Sequence, residues 1–121
     1  MKLRGDIEAV NSGARTAAAW LEQSLGSTSA EEGLNCLTAV FPDEAREAAR
    51  TVDLAPGGQV LAGVPFVAKD LFDIAGRTTM AGSIINADDA AAVVDATAVA
   101  RLKAAGAVLV GLANMDEYAY G

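Results

Sequence analysis

Two short apolar runs flank a helical segment in the second half of the chain, and this order constrains the fold strongly. The first run, Val64–Ala68, is rich in residues that favour strands and carries Pro65 near its start, where a missing backbone N–H does least harm. The second run, residues 107–112, is continuously apolar, as is typical of a buried parallel strand. Parallel strands joined by a helix form a right-handed crossover unit. The sequence therefore predicts an α/β fold.

The crossover helix is predicted to begin after Asp95 and to end near Ala105. Asp95 is expected as the N-cap residue, and Gly106 as the residue that ends the helix in a left-handed conformation. The buried stripe of this helix is predicted to consist of Ala98, Val99 and Leu102.

The first residues of the chain are predicted to form two helices. Apolar residues recur at helical spacing from Leu3 to Val10, and Asn11-Ser12-Gly13 is a typical stop. A second apolar stripe runs from Ala17 to Leu25, with Thr16 as the expected N-cap.

The next residues are predicted to alternate between irregular and regular structure. Residues 26–33 are interpreted as a polar loop in which the Glu31-Glu32 pair is solvated rather than bound to a metal. Residues 34–41 are predicted as a short extended segment. Residues 42–50 are predicted as a helix, because proline and acidic residues occupy its first turn.

The chain is predicted to be at most one small domain, with a turn at Pro56-Gly57-Gly58. The residues after this turn are predicted to hold part of a mixed or parallel sheet with its crossover helix. Apolar strands without a full sheet leave costly edges, which predicts that a partner segment covers them.

Lys69 ends the first apolar run, an unusual place for a lysine. Its ammonium can reach water or pair with Asp70 or Asp73, since lysine is almost never fully buried without a partner. Alternatively, burial disfavours the charged form, and a neutral amine can accept a proton as a general base. Parallel strands would bring Lys69 and Asn114 to the same sheet edge, where ligands bind in open α/β sheets.

Composition excludes several classes of function. The net charge is −7 and the chain has no histidine, which argues against direct nucleic-acid binding and excludes a histidine triad or a histidine metal site. No metal or other cofactor is expected. Cys36 is the only cysteine and is predicted to be buried and unreactive. No secretory signal or membrane span is visible, so a cytoplasmic protein without membrane contact is expected.

The second half of the chain resembles the amidase signature family. The resemblance is carried by G-V-P-F-V-A-K-D at 63–70, T-T-M-A-G-S at 78–83 and D-A-T-A-V-A-R-L-K-A-A-G-A at 95–107. Several motifs in the right order and spacing are more specific than one short pattern. The block at 114–121 is most similar to small-amide hydrolases of the biuret and allophanate type and to the A subunits of tRNA-dependent amidotransferases.

The resemblance implies hydrolysis of a small amide by a serine, a cis-peptide serine and a lysine. Lys69 matches the lysine, which takes a proton through the cis-serine from the nucleophilic serine, and backbone N–H groups stabilise the oxyanion. The resemblance also implies that the turn at Pro56-Gly57-Gly58 separates an N-terminal helical part, residues 1–56, from the start of an α/β core, residues 57–121. It places Tyr120 at the substrate pocket, and Met115 is predicted to bind substrate as well. The glycine- and serine-rich segment that carries both serines in the family is not found up to Gly121. The chain is therefore expected to be the N-terminal part of an amidase, inactive alone and completed by a downstream segment or second chain in an oligomer.

Two other functions stay open: the glutaminase part of a tRNA-dependent amidotransferase, and a non-catalytic scaffold in which Lys69 is merely solvated. Ser83 is interpreted as a loop serine that caps a backbone group, because the nucleophile elbow G-x-S-x-G is absent. Asp116 and Glu117 are predicted to favour the first turn of a helix. Of Tyr118 and Tyr120, one is predicted to pack in the core.

Overall fold

The structure is a computed structural model that describes residues 2–30, 32–55 and 57–121. Its helices are Leu3–Asn11 (α1), Ala17–Ala30 (α2), Pro42–Leu54 (α3) and Thr97–Ala104 (α4). Its strands are Leu37–Val40 (β1), Pro65–Lys69 (β2) and Val108–Ala113 (β3). Short 3-10 helices lie at Glu32–Leu34, Ile84–Asn86 and Glu117–Ala119. Glu31 and Pro56, predicted in a loop and a turn, lie outside the described residues.

The three strands form one mixed sheet in the order β1-β3-β2. β2 runs parallel to β3, in a register that ends with Lys69 opposite Ala113. β1 runs antiparallel to β3, and its Val40 lies opposite Gly111. A Cβ at position 111 would collide with the carbonyl oxygen of Ala39, so the close approach of β1 requires glycine there. The predicted α/β class and the parallel crossover unit are confirmed.

The central strand β3 is buried because both of its faces are covered. On one face, Val108 and Val110 pack against α2 and α3, which we call the helical layer. On the other face, Leu109 and Leu112 join a second cluster that includes Val99 of α4. The helical layer contributes side chains that are almost completely buried, namely Ala17, Leu21, Leu25, Ala45 and Ala49.

Polar side chains fix the N-terminus of α2. The hydroxyl of Thr16 accepts a hydrogen bond from the Ala19 N–H at 3.0 Å, which confirms Thr16 as a cap. The carboxylate of Asp53, near the end of α3, accepts from the N–H groups of Ala17 at 2.6 Å and Ala18 at 3.1 Å. Because the first N–H groups of a helix lack internal partners, Asp53 ties α3 to the start of α2.

The helix predictions at the N-terminus are confirmed for α1 and α3, and α3 continues beyond residue 50 to Leu54. The predicted loop at 26–33 is wrong, because α2 continues to Ala30. The hydroxyls of Ser27 and Thr28 donate to the carbonyl oxygens of Gln23 and Leu25, so these polar residues are satisfied inside the helix.

The crossover helix differs from its prediction at its start. α4 begins at Thr97, and Asp95 is not its N-cap. The Asp95 carboxylate accepts instead from the Ala75 N–H at 2.9 Å and from the Lys103 amine at 2.7 Å. Only Val99 of the predicted stripe is buried, because it alone of the three belongs to the cluster that packs on β3; Ala98 and Leu102 are exposed. Gly106, with φ +98°, ends the helix as predicted.

Two further observations concern the surface. The extended segment is confirmed as β1, but Cys36 just before it is exposed, so its predicted burial is wrong. Cys36 lines a surface pocket beside β1, an edge strand whose one neighbour among the described strands is β3. No helix in the described parts of the chain combines the length and the apolar character that a membrane crossing requires.

Candidate functional site

The carboxyl ends of β2 and β3 meet at one edge of the sheet. Lys69 is the last residue of β2, and its register partner Ala113 is the last residue of β3. Asn114 follows Ala113 directly. Together with Met115 and Asp116 they line a depression of about 460 Å³, which we call the strand-end site. The prediction that Lys69 and Asn114 share a sheet edge is confirmed, and this edge is where ligands bind in parallel sheets.

The backbone around Lys69 is held on several sides. The Asp70 N–H donates to the Ala113 carbonyl at 3.0 Å, and the Phe72 N–H donates to the Lys69 carbonyl at 3.0 Å. The Ala81 N–H donates to the Asp70 carbonyl at 2.9 Å. These bonds leave the position of the lysine Cα little freedom, while its side chain projects from a fixed strand end.

The Lys69 side chain is exposed, and within the described ranges its amine has no hydrogen bond or salt bridge. The pairing with Asp70 or Asp73 that the sequence allows is not found. The Asp73 carboxylate accepts instead from the Thr79 hydroxyl at 2.5 Å. The amine is therefore available to groups that approach the strand-end site from outside the described residues.

Asp70, the next residue, has the opposite environment. It is only 4% exposed and lines a separate cavity of about 330 Å³ with Thr38, Arg77 and Thr78 among its neighbours. Burial raises the pKa of the Asp70 carboxyl, and the hydroxyl of Thr38, which lines the same cavity, opposes that rise. Lys69 and Asp70 are thus neighbours in sequence, but one is exposed at the strand-end site and the other is buried in a separate cavity.

Met115 and Tyr120, the two residues predicted at the substrate pocket, differ in their relation to the strand-end site. Met115 is half-buried and lines the strand-end site beside Lys69. Tyr120 is 95% exposed and is not among the residues that line this depression. Tyr118 is also exposed, so the prediction that one tyrosine packs in the core is wrong. Its backbone adopts φ 51°, and its hydroxyl donates to the Asn86 side chain at 3.0 Å.

A hydrogen bond between Ser83 and Glu117 was not visible in the sequence. Ser83 accepts from the Ile85 N–H at 3.4 Å, which confirms its role as a backbone cap. Its hydroxyl also donates to the Glu117 carboxylate. Glu117 begins only a short 3-10 helix, so its main partner is a serine 34 positions earlier. No local pattern signals a contact over that separation.

Metal chemistry has little support in the same region. Among the described residues, no group of three or more histidine, cysteine, aspartate or glutamate side chains is arranged to hold a metal ion. The chemistry available at the strand-end site is therefore that of a primary amine, an amide side chain, a carboxylate and a thioether.

Comparisons with known proteins give a consistent result. A family model described as Amidase matches residues 20–121. The AtzE component of the 1-carboxybiuret hydrolase of Pseudomonas sp. (strain ADP) is 46% identical over 126 residues, which covers 100% of this chain and 28% of that protein. The A subunit of the glutamyl-tRNA(Gln) amidotransferase of Deinococcus deserti is 40% identical over 115 residues, which covers 93% of this chain and 23% of that protein.

Structural comparison agrees with the sequence comparison. A solved structure described as an unexpected vestigial protein complex that reveals the evolutionary origins of an s-triazine catabolic enzyme superposes with a TM-score of 0.95. It is 44% identical to this chain, and the match covers 100% of this chain and 28% of that one. The chain thus spans less than a third of the length of the relatives that it matches.

Proposed function

The chain belongs to the amidase signature family, and from that premise we propose that it supplies the lysine base and one pocket wall of an amidase acting on a small amide. Lys69 is the base, and Met115 is part of the wall. The observation that carries this proposal is the position of Lys69 at the carboxyl end of β2, beside the end of β3 and within a depression. Tyr120 is proposed to join the pocket wall once the domain is complete.

In the proposed reaction, Lys69 in its neutral form takes a proton from a cis-peptide serine, which takes one from the nucleophilic serine. The nucleophile then attacks the amide carbonyl, and the protonated lysine returns its proton through the cis-serine to the leaving amine as the C–N bond breaks. Water that gives up a proton along the same path then releases the acyl group from the nucleophilic serine. Both serines must come from the part of the amidase domain outside these 121 residues, since no glycine- and serine-rich segment of that type occurs among them. Residues 1–56 and 57–121 are proposed as the helical part and the start of the α/β core of that domain.

The remaining polypeptide is proposed to complete the site by covering it. β1 and β2 are both edge strands among the described strands, and an apolar edge strand is a template for further pairing. Val67 of β2 is 44% exposed, and Lys69 lies two residues further along the same strand. A strand or loop packed there would remove water from the lysine amine, and loss of water favours the neutral form that the reaction requires.

The substrate is proposed to be a small linear amide of the biuret type. Support comes from the relative named for 1-carboxybiuret hydrolase, which matches this chain over its full length at 46% identity. A glutaminase role is the second candidate, because two A subunits of glutamyl-tRNA(Gln) amidotransferases match at 40% and 46% identity over 93% and 84% of the chain.

The proposal is tested by ammonia release. The chain is coexpressed with the downstream polypeptide of its amidase, and release is measured from biuret-type amides and from glutamine. We expect Lys69→Ala to slow release by about a thousandfold, within the range for loss of a general base. Lys103→Ala is the matched control, since Lys103 pairs with Asp95 away from the strand-end site.

The substrate preference of the parent complex separates the two candidate reactions. A Lys69→Ala complex as active as the parent, with the circular dichroism spectrum of the parent, would remove Lys69 as the base. That result would favour the non-catalytic scaffold instead.

A further inference from the structure

Two loops meet beside the strand-end site, and we call their contact the loop junction. It joins residues 80–86, which follow β2, to residues 115–121, which follow β3. The second loop begins with Met115, a wall residue of the strand-end site. Interactions that stabilise the loop junction therefore also help to position Met115 beside Lys69.

The junction is built at the backbone level around Gly82. Gly82 has φ +74°, and a Cβ there would lie 2.9 Å from the Met115 carbonyl oxygen and 3.0 Å from that of Asp116. The two loops are thus in direct backbone contact, with no room for a side chain. The Tyr118 N–H also donates to the Ala81 carbonyl at 2.8 Å.

The same junction is connected to the lysine strand. Ala81 donates its N–H to the Asp70 carbonyl at 2.9 Å, and its own carbonyl accepts from Tyr118. One residue, Ala81, therefore bridges the backbone next to Lys69 and the loop that carries Met115. A shift of residues 115–121 would therefore move Met115 and, through Ala81, would also disturb the backbone next to Lys69.

The backbone conformation of the junction needs support from its contacts. Of the four non-glycine residues with positive φ in the described parts of the chain, three lie here: Ala81 at 50°, Tyr118 at 51° and Ala119 at 59°. Residues with a Cβ rarely adopt this conformation, and it persists where surrounding interactions enforce it. Such backbone is concentrated at functional sites in proteins.

The hydrogen bond between Ser83 and Glu117 is the side-chain contact in the loop junction that joins a buried donor to a carboxylate. Ser83 is 5% exposed, and its hydroxyl donates to the Glu117 carboxylate. Hydrogen bonds to an ionised acceptor are stronger than neutral ones, and a buried hydroxyl without its acceptor is costly. The Asn86 side chain adds a second link, to the Tyr118 hydroxyl at 3.0 Å.

We propose that Glu117 is a positioning residue of the amidase. By accepting the hydrogen bond of Ser83, it holds residues 115–121 in their strained conformation and so fixes Met115 beside Lys69. Glu117 takes no proton in the reaction and is not among the residues that line the strand-end site with Lys69. The proposed consequence for catalysis rests on the proposed function, whereas the consequence for the loop junction does not.

The structural arm of the test uses the 121-residue chain. Amide hydrogen exchange is measured at Tyr118, with Val108 in the core as internal reference, because its N–H donates to Val64 at 2.8 Å. We expect Glu117→Ala to accelerate exchange at Tyr118 by about tenfold or more, the factor for one lost charge-assisted hydrogen bond, with Val108 unchanged. Glu117→Gln retains an acceptor oxygen and is expected to restore exchange to within about threefold of the parent.

The catalytic arm uses the completed amidase. We expect kcat of Glu117→Ala to fall by about tenfold with a smaller change in KM, and Glu117→Gln to recover most of kcat. Unchanged exchange at Tyr118, or faster exchange with parental kcat, would overturn the positioning role.

A second variant keeps the proposal testable if Glu117→Ala fails to fold, which faster exchange at Val108 would show. Ser83→Ala, which removes the donor, then decides by the same two measurements. If all Lys69 variants kept their activity, the proposed function would be contradicted. The exchange result at Tyr118 would still test the role of Glu117 in the loop junction.

Discussion

The helical layer and the strand-end site lie at different parts of the same sheet and are built on opposite principles. In the helical layer, Leu21 is completely buried, and the start of α2 is capped by Asp53. At the strand-end site, Lys69 is exposed without a partner among the described residues, and the neighbouring loop at Tyr118 has strained backbone. Proteins place functional groups in their less stable regions, so stability and chemistry are expected to respond to different substitutions here.

The largest stability effect is expected in the helical layer, from Leu21→Ala. Leu21 is 0% exposed and belongs to the cluster around Val108 and Val110. Its truncation leaves a cavity against the sheet and should lower the free energy of unfolding by about 3 kcal/mol, measured by urea denaturation.

The matched control is Leu54→Ala, at the end of α3, where the leucine is 87% exposed. A surface substitution of this kind should change the free energy of unfolding by less than about 0.5 kcal/mol. Equal effects at the two leucines would mean that the helical layer does not pack on β3 as described.

A smaller effect is expected from Asp53→Ala. The carboxylate accepts from the Ala17 and Ala18 N–H groups at 2.6 and 3.1 Å, so its loss leaves two helix N–H groups without a protein partner. Loss of such a cap should cost about 1 kcal/mol in the free energy of unfolding, measured in the same urea assay. Asp88→Ala, at an exposed loop position, is the control and should leave the unfolding midpoint unchanged.

The pH dependence of stability should carry opposite signs at Asp70 and Asp95. Burial raises the pKa of Asp70 in the folded chain, so the folded state binds its proton more tightly than the unfolded state. Its contribution to stability is therefore present below the ordinary aspartate value and is lost as the pH rises through the raised pKa. Asp70→Asn should remove this loss and raise the unfolding midpoint relative to the parent at neutral pH.

Asp95 is expected to behave in the reverse way. Burial by itself raises the pKa of Asp95, but the hydrogen bond from Lys103, that from the Ala75 N–H and the charge of Lys103 outweigh it, so the pKa is lowered. Its contribution is present above the ordinary aspartate value and is lost as the pH falls through the lowered pKa. The urea midpoint of Asp95→Asn should fall below that of the parent at neutral pH and converge with it in acid. The decrease at neutral pH should be smaller than the one caused by Asp53→Ala. If Asp70→Asn and Asp95→Asn both raised, or both lowered, the urea midpoint at neutral pH, the opposite pKa shifts of the two carboxyls would be contradicted.

Much of the strand-end site could be predicted because its position follows from the order of strands. Two apolar runs joined by a helix suffice to place Lys69 and Asn114 at one edge. The motif resemblance added the chemistry of the lysine, which periodicity alone leaves open between a solvated and a basic role.

The errors have a common physical origin in contacts between distant residues. Asp95 has the sequence signature of an N-cap, but Ala75 and Lys103 offer its carboxylate better partners. Residues 27–29 favour loops by composition, yet their hydroxyls are satisfied by the carbonyls of α2. The Ser83 to Glu117 bond spans 34 positions and has no local signal, so only the folded chain shows it.

The most direct test of the account compares Lys69→Arg with Lys69→Ala in the completed amidase. Arginine keeps the positive charge but does not lose its proton, so it can replace a lysine that binds by charge and cannot replace one that acts as a base. Neither substitution should change the free energy of unfolding by more than about 0.5 kcal/mol, because Lys69 is exposed. We predict that ammonia release falls by about a thousandfold in both variants. An arginine variant that keeps activity within about tenfold of the parent would contradict the assignment of Lys69 as the base.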